Sequence, residues 1–189
     1  MKSFQYEKIE GKDMKNFNLL VSSPRYNETN AKAELWFTML ICDDPYPIIS
    51  DLEFQGLITA LTSKNVFKII EKIRKILVEQ PYFFSYVLKI IPIQFVCEID
   101  LNQIEKIIEE NYSKFISEGE KFRIKLRRRK NKLVKRKTLI ESVAKYIDNP
   151  VDLENPEKIV RIELLKNICG ISFLKPGDII SPKNKFLES

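Results

Sequence analysis

Lys121 to Lys137 reads KFRIKLRRRKNKLVKRK. In its first half Phe122, Ile124 and Leu126 alternate with Arg123, Lys125 and Arg127. Side chains of a strand leave on alternate faces, so this period of two predicts a half-buried strand over Lys121–Arg128 with a cationic outer face. From Arg129 to Lys137 the alternation stops, which predicts a basic loop. The segment holds Lys121, Arg123, Lys125, Arg127, Arg128, Arg129, Lys130, Lys132, Lys135, Arg136 and Lys137, and no acid. The net charge of the 189-residue chain is +6. Outside these eleven residues there are 21 basic and 26 acidic ones, so the remainder is mildly acidic at −5. One short segment therefore sets the basic character of the protein.

Working outward, Thr138 with Glu141 has capping-box spacing and predicts a helix to Ile147, with Leu139, Ile140, Val143, Ala144 and Ile147 inward. Glu157–Leu165 and Ile168–Leu174 read as strands. On the other side, Asp100 with Gln103 predicts a capped helix to Ser117, its buried side marked by Leu101, Ile104, Ile108 and Phe115. Ser85–Glu98 is extended and split at Pro92. Earlier still, Phe17–Val21 reads as a strand and Asn27–Ile41 as a helix. That helix has a Glu28/Lys32 surface pair and a stripe of Leu35, Trp36, Met39 and Leu40. Asp51–Leu61 reads as one strand. Ser63 is placed to cap a helix over Lys64–Glu79. The alternation of short strands and helices predicts an α+β fold. The expected division is a ferredoxin-like domain over 1–85, an α/β domain over 86–180 and a tail at 181–189.

Several chemistries are excluded or disfavoured. There is no histidine, which removes Ser-His-Asp and Cys-His nucleophile schemes. Cys42, Cys97 and Cys169 are far apart in sequence and read as buried free thiols rather than metal ligands. The five glycines never approach dinucleotide-binding or Walker spacing. No apolar run is long enough to span a bilayer, and the N-terminus lacks an apolar signal core. The expectation is a cytoplasmic protein with no membrane partner, no cofactor and no metal. The acid pairs Asp43-Asp44 and Glu109-Glu110 read as surface charge, because adjacent residues on a helix do not face one another.

Phe122-Arg123-Ile124 through Arg129, a helix, Val151-Asp152-Leu153-Glu154-Asn155-Pro156 and then the strand Ile159-Val160-Arg161-Ile162-Glu163 together resemble the THUMP domain. Cys169-Gly170-Ile171-Ser172 is similar to the strand that follows in that family. The resemblance covers about residues 86 to 180 and implies a THUMP-like α/β domain behind a ferredoxin-like one. It also implies binding to the acceptor end of tRNA, with the family's basic strand and loop falling on Arg123, Lys125, Arg127, Arg128 and Arg129. The small THUMP proteins that assist a tRNA cytidine acetyltransferase are similar in kind. They imply a non-catalytic adaptor for N4-acetylcytidine formation in the D-arm. Larger THUMP proteins fuse the module to a catalytic domain. This sequence ends shortly after the module, so none is expected here.

An unbroken run of like charge on a folded strand is self-repelling, and a polyanion would relieve it. Three consecutive arginines favour bidentate phosphate contact. The sequence therefore predicts RNA held by its backbone, with tRNA and an acetyltransferase as partners and no DNA. Tyr112, Phe115, Tyr146 and Phe173 could stack on single-stranded bases, but each lies on an apolar stripe and reads as core. Asp152 and Asn155 read as turn-formers rather than as catalytic groups. A free-standing RNA-binding protein, or a small enzyme using Lys, Asp or Cys97, are the other functions compatible with these residues.

Overall fold

The computed structural model of the chain describes residues 16–129 and 135–183. The first six elements are β1 (Leu19–Ser22), α1 (Glu28–Ile41), β2 (Ile48–Asp51), β3 (Leu57–Leu61), α2 (Val66–Glu79) and β4 (Lys89–Pro92). Their strands form an antiparallel sheet in the order β2-β3-β1-β4. This is the split-βαβ arrangement of a ferredoxin-like unit.

The expected strand over Asp51–Leu61 is two strands. The chain turns at Gly56, whose φ of +76° suits glycine and would strain other residues. A Cβ there would also lie 2.8 Å from the Ser23 carbonyl oxygen. Glu28 secures this turn by accepting the Gly56 N–H. Lys32 reaches Asp51 at 2.6 Å. Helix α2 is capped by Asn65, not Ser63: its Oδ1 accepts the N–H groups of Phe67 and Lys68. In α1 only Leu35 and Met39 of the expected stripe are buried, whereas Trp36 and Leu40 are exposed.

The second unit contains β5 (Phe95–Glu98), α3 (Leu101–Phe115), β6 (Phe122–Arg129), α4 (Arg136–Ala144), β7 (Lys158–Leu165) and β8 (Ile168–Leu174). Its sheet order is β5-β8-β7-β6, with β6 parallel to β7 and the other pairs antiparallel. Asp100 caps α3 by accepting the Gln103 N–H at 2.8 Å, as its spacing predicts. Helix α4 departs from expectation. It starts at Arg136 after Lys135, with no side-chain cap, and ends at Ala144. The Arg136 guanidinium donates to the Leu126 carbonyl at 3.1 Å, tying the first turn to β6 and leaving Thr138 inside the helix.

Each sheet carries its helices on one face. Leu19, Val21, Ile58 and Ile90 pack beneath α1 and α2. Phe122, Leu126, Val160, Ile162 and Ile171 pack beneath α3 and α4. The two helix-free faces meet in a third core, where Phe17, Leu20, Leu57, Ile91 and Ile93 face Ile159, Leu165, Ile168 and Leu174. The layers thus run helix, sheet, sheet, helix. Gly170 permits this approach: a Cβ there would lie 3.3 Å from Ile93 side-chain carbons. Ser172 Oγ donates to the Pro92 carbonyl across the same interface at 2.7 Å.

The division at 85/86 shifts. Strand β4 belongs to the first sheet through its pairing with β1, so the chain crosses between Pro92 and Phe95. Ile180 returns to bridge Ile90 and enters the first core.

Leu126→Asp places a carboxylate at a side chain that is 2% exposed, at a cost of about 4 kcal/mol or more. Loss of the cooperative unfolding transition by circular dichroism is expected. A native transition would reverse the assignment of β6's faces. Gly170→Val is expected to cost about 1–3 kcal/mol in urea denaturation by overpacking against Ile93.

Candidate nucleic-acid interface

β6 is the edge strand of the second sheet, and its residues alternate as the sequence predicts. Phe122, Ile124 and Leu126 pack against the helices. Arg123, Lys125, Arg127 and Arg129 therefore lie on the opposite face, towards the first unit. In the parallel register they stand beside Ile159, Arg161, Glu163 and Leu165 of β7. Same-face side chains on a strand repeat at about 6.6 Å, so the four cations form a row.

Burial and charge grade along this row. Arg123 donates to the Leu153 carbonyl at 2.9 Å, and its Nε is buried with no protein partner. It lines a cavity of about 300 Å³ with Glu154, Asn155, Pro156, Ile159 and Pro176. Lys125 is half-buried, and its pKa is pulled down first by burial and then by Arg161, Arg123, Lys89 and Arg127. Arg127 and Arg129 are exposed. Arg129 lines a second cavity, of about 400 Å³, with Arg25, Glu53, Phe54 and Gln55. Behind the row, Arg161 and Glu163 are both buried and pair with each other, the guanidinium Nε lying 2.7 Å from Oε1.

Two residues of this site come from the first unit, and sequence reasoning missed both. Arg25 lies in the turn after β1, and Lys89 opens β4. Neither sits in a charged run. Only sheet-on-sheet packing brings them to β6.

The remaining basic residues divide. Lys121 pairs with Asp152 at 3.3 Å, and Lys137 with Glu141 at 3.7 Å, so each is met by a carboxylate of the same chain. Arg136 holds the Leu126 carbonyl, a structural task. Arg128 is exposed on the helix side of β6, opposite to the row. Lys135 is exposed just before α4. Lys130 and Lys132 lie outside the described residues.

The Val151–Pro156 element is the expected turn. Asp152 Oδ1 accepts the N–H groups of Glu154 at 3.0 Å and Asn155 at 2.8 Å. These bonds, led by the one from Asn155, together with Lys121 hold its carboxyl below the usual carboxylate range. The loop also exchanges backbone bonds with Phe122 and thereby fixes where β6 begins. The aromatic candidates are core. Phe115 and Phe173 stack at 5.1 Å with Phe95 edge-on. Tyr112 packs on the same core, and Tyr146 donates its hydroxyl to Glu105 at 2.9 Å. Among the described residues, no helix is long and apolar enough to cross a membrane.

A basic row on a parallel edge strand, a neighbouring strand entered through an Asp-x-x-Asn-Pro turn, and two helices behind them define the second unit. The THUMP domain family model matches residues 98–174, which run from the last residue of β5 to the end of β8 in the second unit. Three solved structures share the fold. Protein PH1313 from Pyrococcus horikoshii Ot3 is 18% identical over 89% of this chain and 56% of its own, with a TM-score of 0.64. TrmN from Thermus thermophilus is 12% identical over 84% of this chain and 46% of its own, with a TM-score of 0.57. A 4-thiouridine synthetase, solved as an RNA complex with bound ATP, is 11% identical over 89% of this chain and 43% of its own, also at 0.57. The likeness thus takes in both units, while the chain spans only about half the length of these proteins. No curated protein matches it in sequence.

The buried ion pair yields a stability prediction. Arg161→Met leaves Glu163 charged and unpaired, and a loss of about 3–5 kcal/mol is expected by urea denaturation. Arg161→Met with Glu163→Leu is expected to recover most of it. If the double variant is no more stable than the single one, the pair is not what makes Arg161 necessary.

Proposed function

We propose that this chain binds tRNA by its sugar-phosphate backbone and presents it to a tRNA cytidine acetyltransferase, which forms N4-acetylcytidine in the D-arm. The chain itself supplies no catalytic group. The observation that carries the reading is the row Arg123, Lys125, Arg127 and Arg129, extended across the unit boundary by Arg25 and Lys89. Lys125 is half-buried and lies near four other cations, Arg161, Arg123, Lys89 and Arg127. A phosphate in their midst converts that repulsion into attraction. Arginines at the outer end present planar donor forks suited to phosphate oxygens. The core positions of Phe115 and Phe173 favour backbone contact over base stacking. The THUMP match and the fold shared with an RNA-bound 4-thiouridine synthetase support an RNA partner. The acetyltransferase rests on the resemblance to the small adaptors of that family.

Replacing Arg127, Arg128 and Arg129 together with Ala is expected to weaken tRNA binding strongly. The log–log salt dependence should flatten by up to about 2 units, at roughly 0.7 to 0.9 per phosphate contact. An unchanged slope means that these arginines do not touch phosphate. Arg25→Ala and Lys89→Ala are each expected to reduce the slope further, by up to about 1 unit. For the adaptor role, purified chain should leave bulk tRNA unmodified alone and raise N4-acetylcytidine yield when an acetyltransferase and acetyl donor are added. Binding without that increase points to a free-standing RNA-binding protein. Modification by the chain alone points to an enzyme.

A further inference from the structure

The sequence separates Cys97 and Cys169 by most of the second unit, but the fold sets them directly opposite one another on β5 and β8. Two residues further along the same pair of strands, the Ile99 N–H donates to the Asn167 carbonyl at 3.0 Å. In an antiparallel ladder every second pair is of the same kind, so Cys97 and Cys169 form a hydrogen-bonded pair. Its Cα atoms stand about 5.5 Å apart. That separation falls within the roughly 4.4–6.8 Å range that a disulfide spans, and closing the bond draws the two Cβ atoms, about 5.5 Å apart in such a pair, in to about 3.5–4.5 Å by a small shift of the edge strand. Both side chains leave the sheet on the same face, since both pack in the core beneath α3 and α4. The pair is reachable from one side only. β5 is an edge strand and Cys97 is half-buried on it, whereas Cys169 is fully buried. The third thiol, Cys42, is buried in the core of the first unit.

We propose that Cys97 and Cys169 are a thiol–disulfide couple that forms a cross-strand disulfide by exchange with a low-molecular-weight disulfide such as oxidised glutathione. Cys97 is the attacking sulfur, because it is the accessible one. Hydrogen bonding with Cys169 pulls the Cys97 pKa below the usual thiol range, against the opposing effect of burial. Hydrogen bonding to Cys97 and burial together raise Cys169. Cys97 thiolate attacks one sulfur of the glutathione disulfide, breaks its S–S bond and releases one glutathione thiolate, which takes up the Cys169 proton. Cys169 thiolate then attacks Cys97 Sγ, forms the cross-strand bond and expels the second glutathione. Two protein thiols are oxidised and one glutathione disulfide is reduced to two thiols, so electrons and atoms balance. The bond pins the edge strand where the chain enters the second unit, beside the Gln94 contact to the Phe173 N–H at 2.6 Å. It closes a loop over most of that unit, which is where a cross-link restrains the unfolded chain strongly.

The test uses the whole chain incubated in glutathione redox buffers, with intact mass and peptide mapping after alkylation. Expected is the loss of two hydrogens per molecule with no retained glutathione, and a Cys97–Cys169 peptide. The thermal midpoint should rise by about 5 to 10 °C and be restored by dithiothreitol. Cys169→Ser is expected to hold one glutathione on Cys97, and Cys42→Ser to cross-link as the natural chain does. The proposal is overturned if the natural chain stays fully reduced in oxidised glutathione, if the adduct sits on Cys42, or if any cross-link joins two chains. The natural chain alone decides the matter should Cys169→Ser fail to fold.

Discussion

The burial of one sheet's bare face against the other's is the constraint on which the remainder depends. Leu20, Ile91 and Ile93 on one side and Ile159, Leu165 and Leu174 on the other form a continuous apolar contact. Gly170 keeps a Cβ out of the way of Ile93. Apolar area removed from water there fixes the relative placement of two units that each have a core of their own. Without it, Arg25 and Lys89 would have no defined position relative to β6.

That contact also explains how charge is handled inside the molecule. Towards β6 the apolar interface gives way to Arg161 and Glu163, a buried pair whose members neutralise each other. Beyond them stands Lys125, half-buried and surrounded by like charge, and then the exposed arginines. The environment changes from dry and neutral on β7 to wet and positive on the neighbouring edge strand β6. A charged group is costly where water is scarce unless an opposite charge meets it. Lys121 and Lys137, by contrast, are already answered by Asp152 and Glu141.

The first unit contributes more than bulk. In the ferredoxin-like arrangement β1 lies at the centre of its sheet, between β3 and β4, so the turn that follows it and the first residue of β4 lie side by side. This places Arg25 and Lys89 on the same end of the sheet. Ile180, bridging Ile90, completes the outer edge of β4 and returns the end of the second unit to the first. The solved structures that share this fold share it across both units.

Much was legible in the sequence because it is local. The period of two in Phe122–Arg127 is a property of the strand itself, and it correctly sorted apolar from cationic side chains. The Asp152 turn and the Asp100 cap depend on hydrogen bonds spanning two or three residues, and both were readable for that reason. The features that were not legible depend on distant atoms. Asp51–Leu61 divides because Gly56 passes close to the Ser23 carbonyl. Helix α4 begins early because Arg136 finds the Leu126 carbonyl. Trp36 is exposed because the fold presents that side of α1 to solvent. Sequence by itself determined the cationic strand, its buried side and the elements around it, since these follow from the spacing of residue types along the chain. The tertiary structure alone decided which cations share a groove, which are neutralised and which thiols face each other, since those depend on through-space distances set by how two sheets pack.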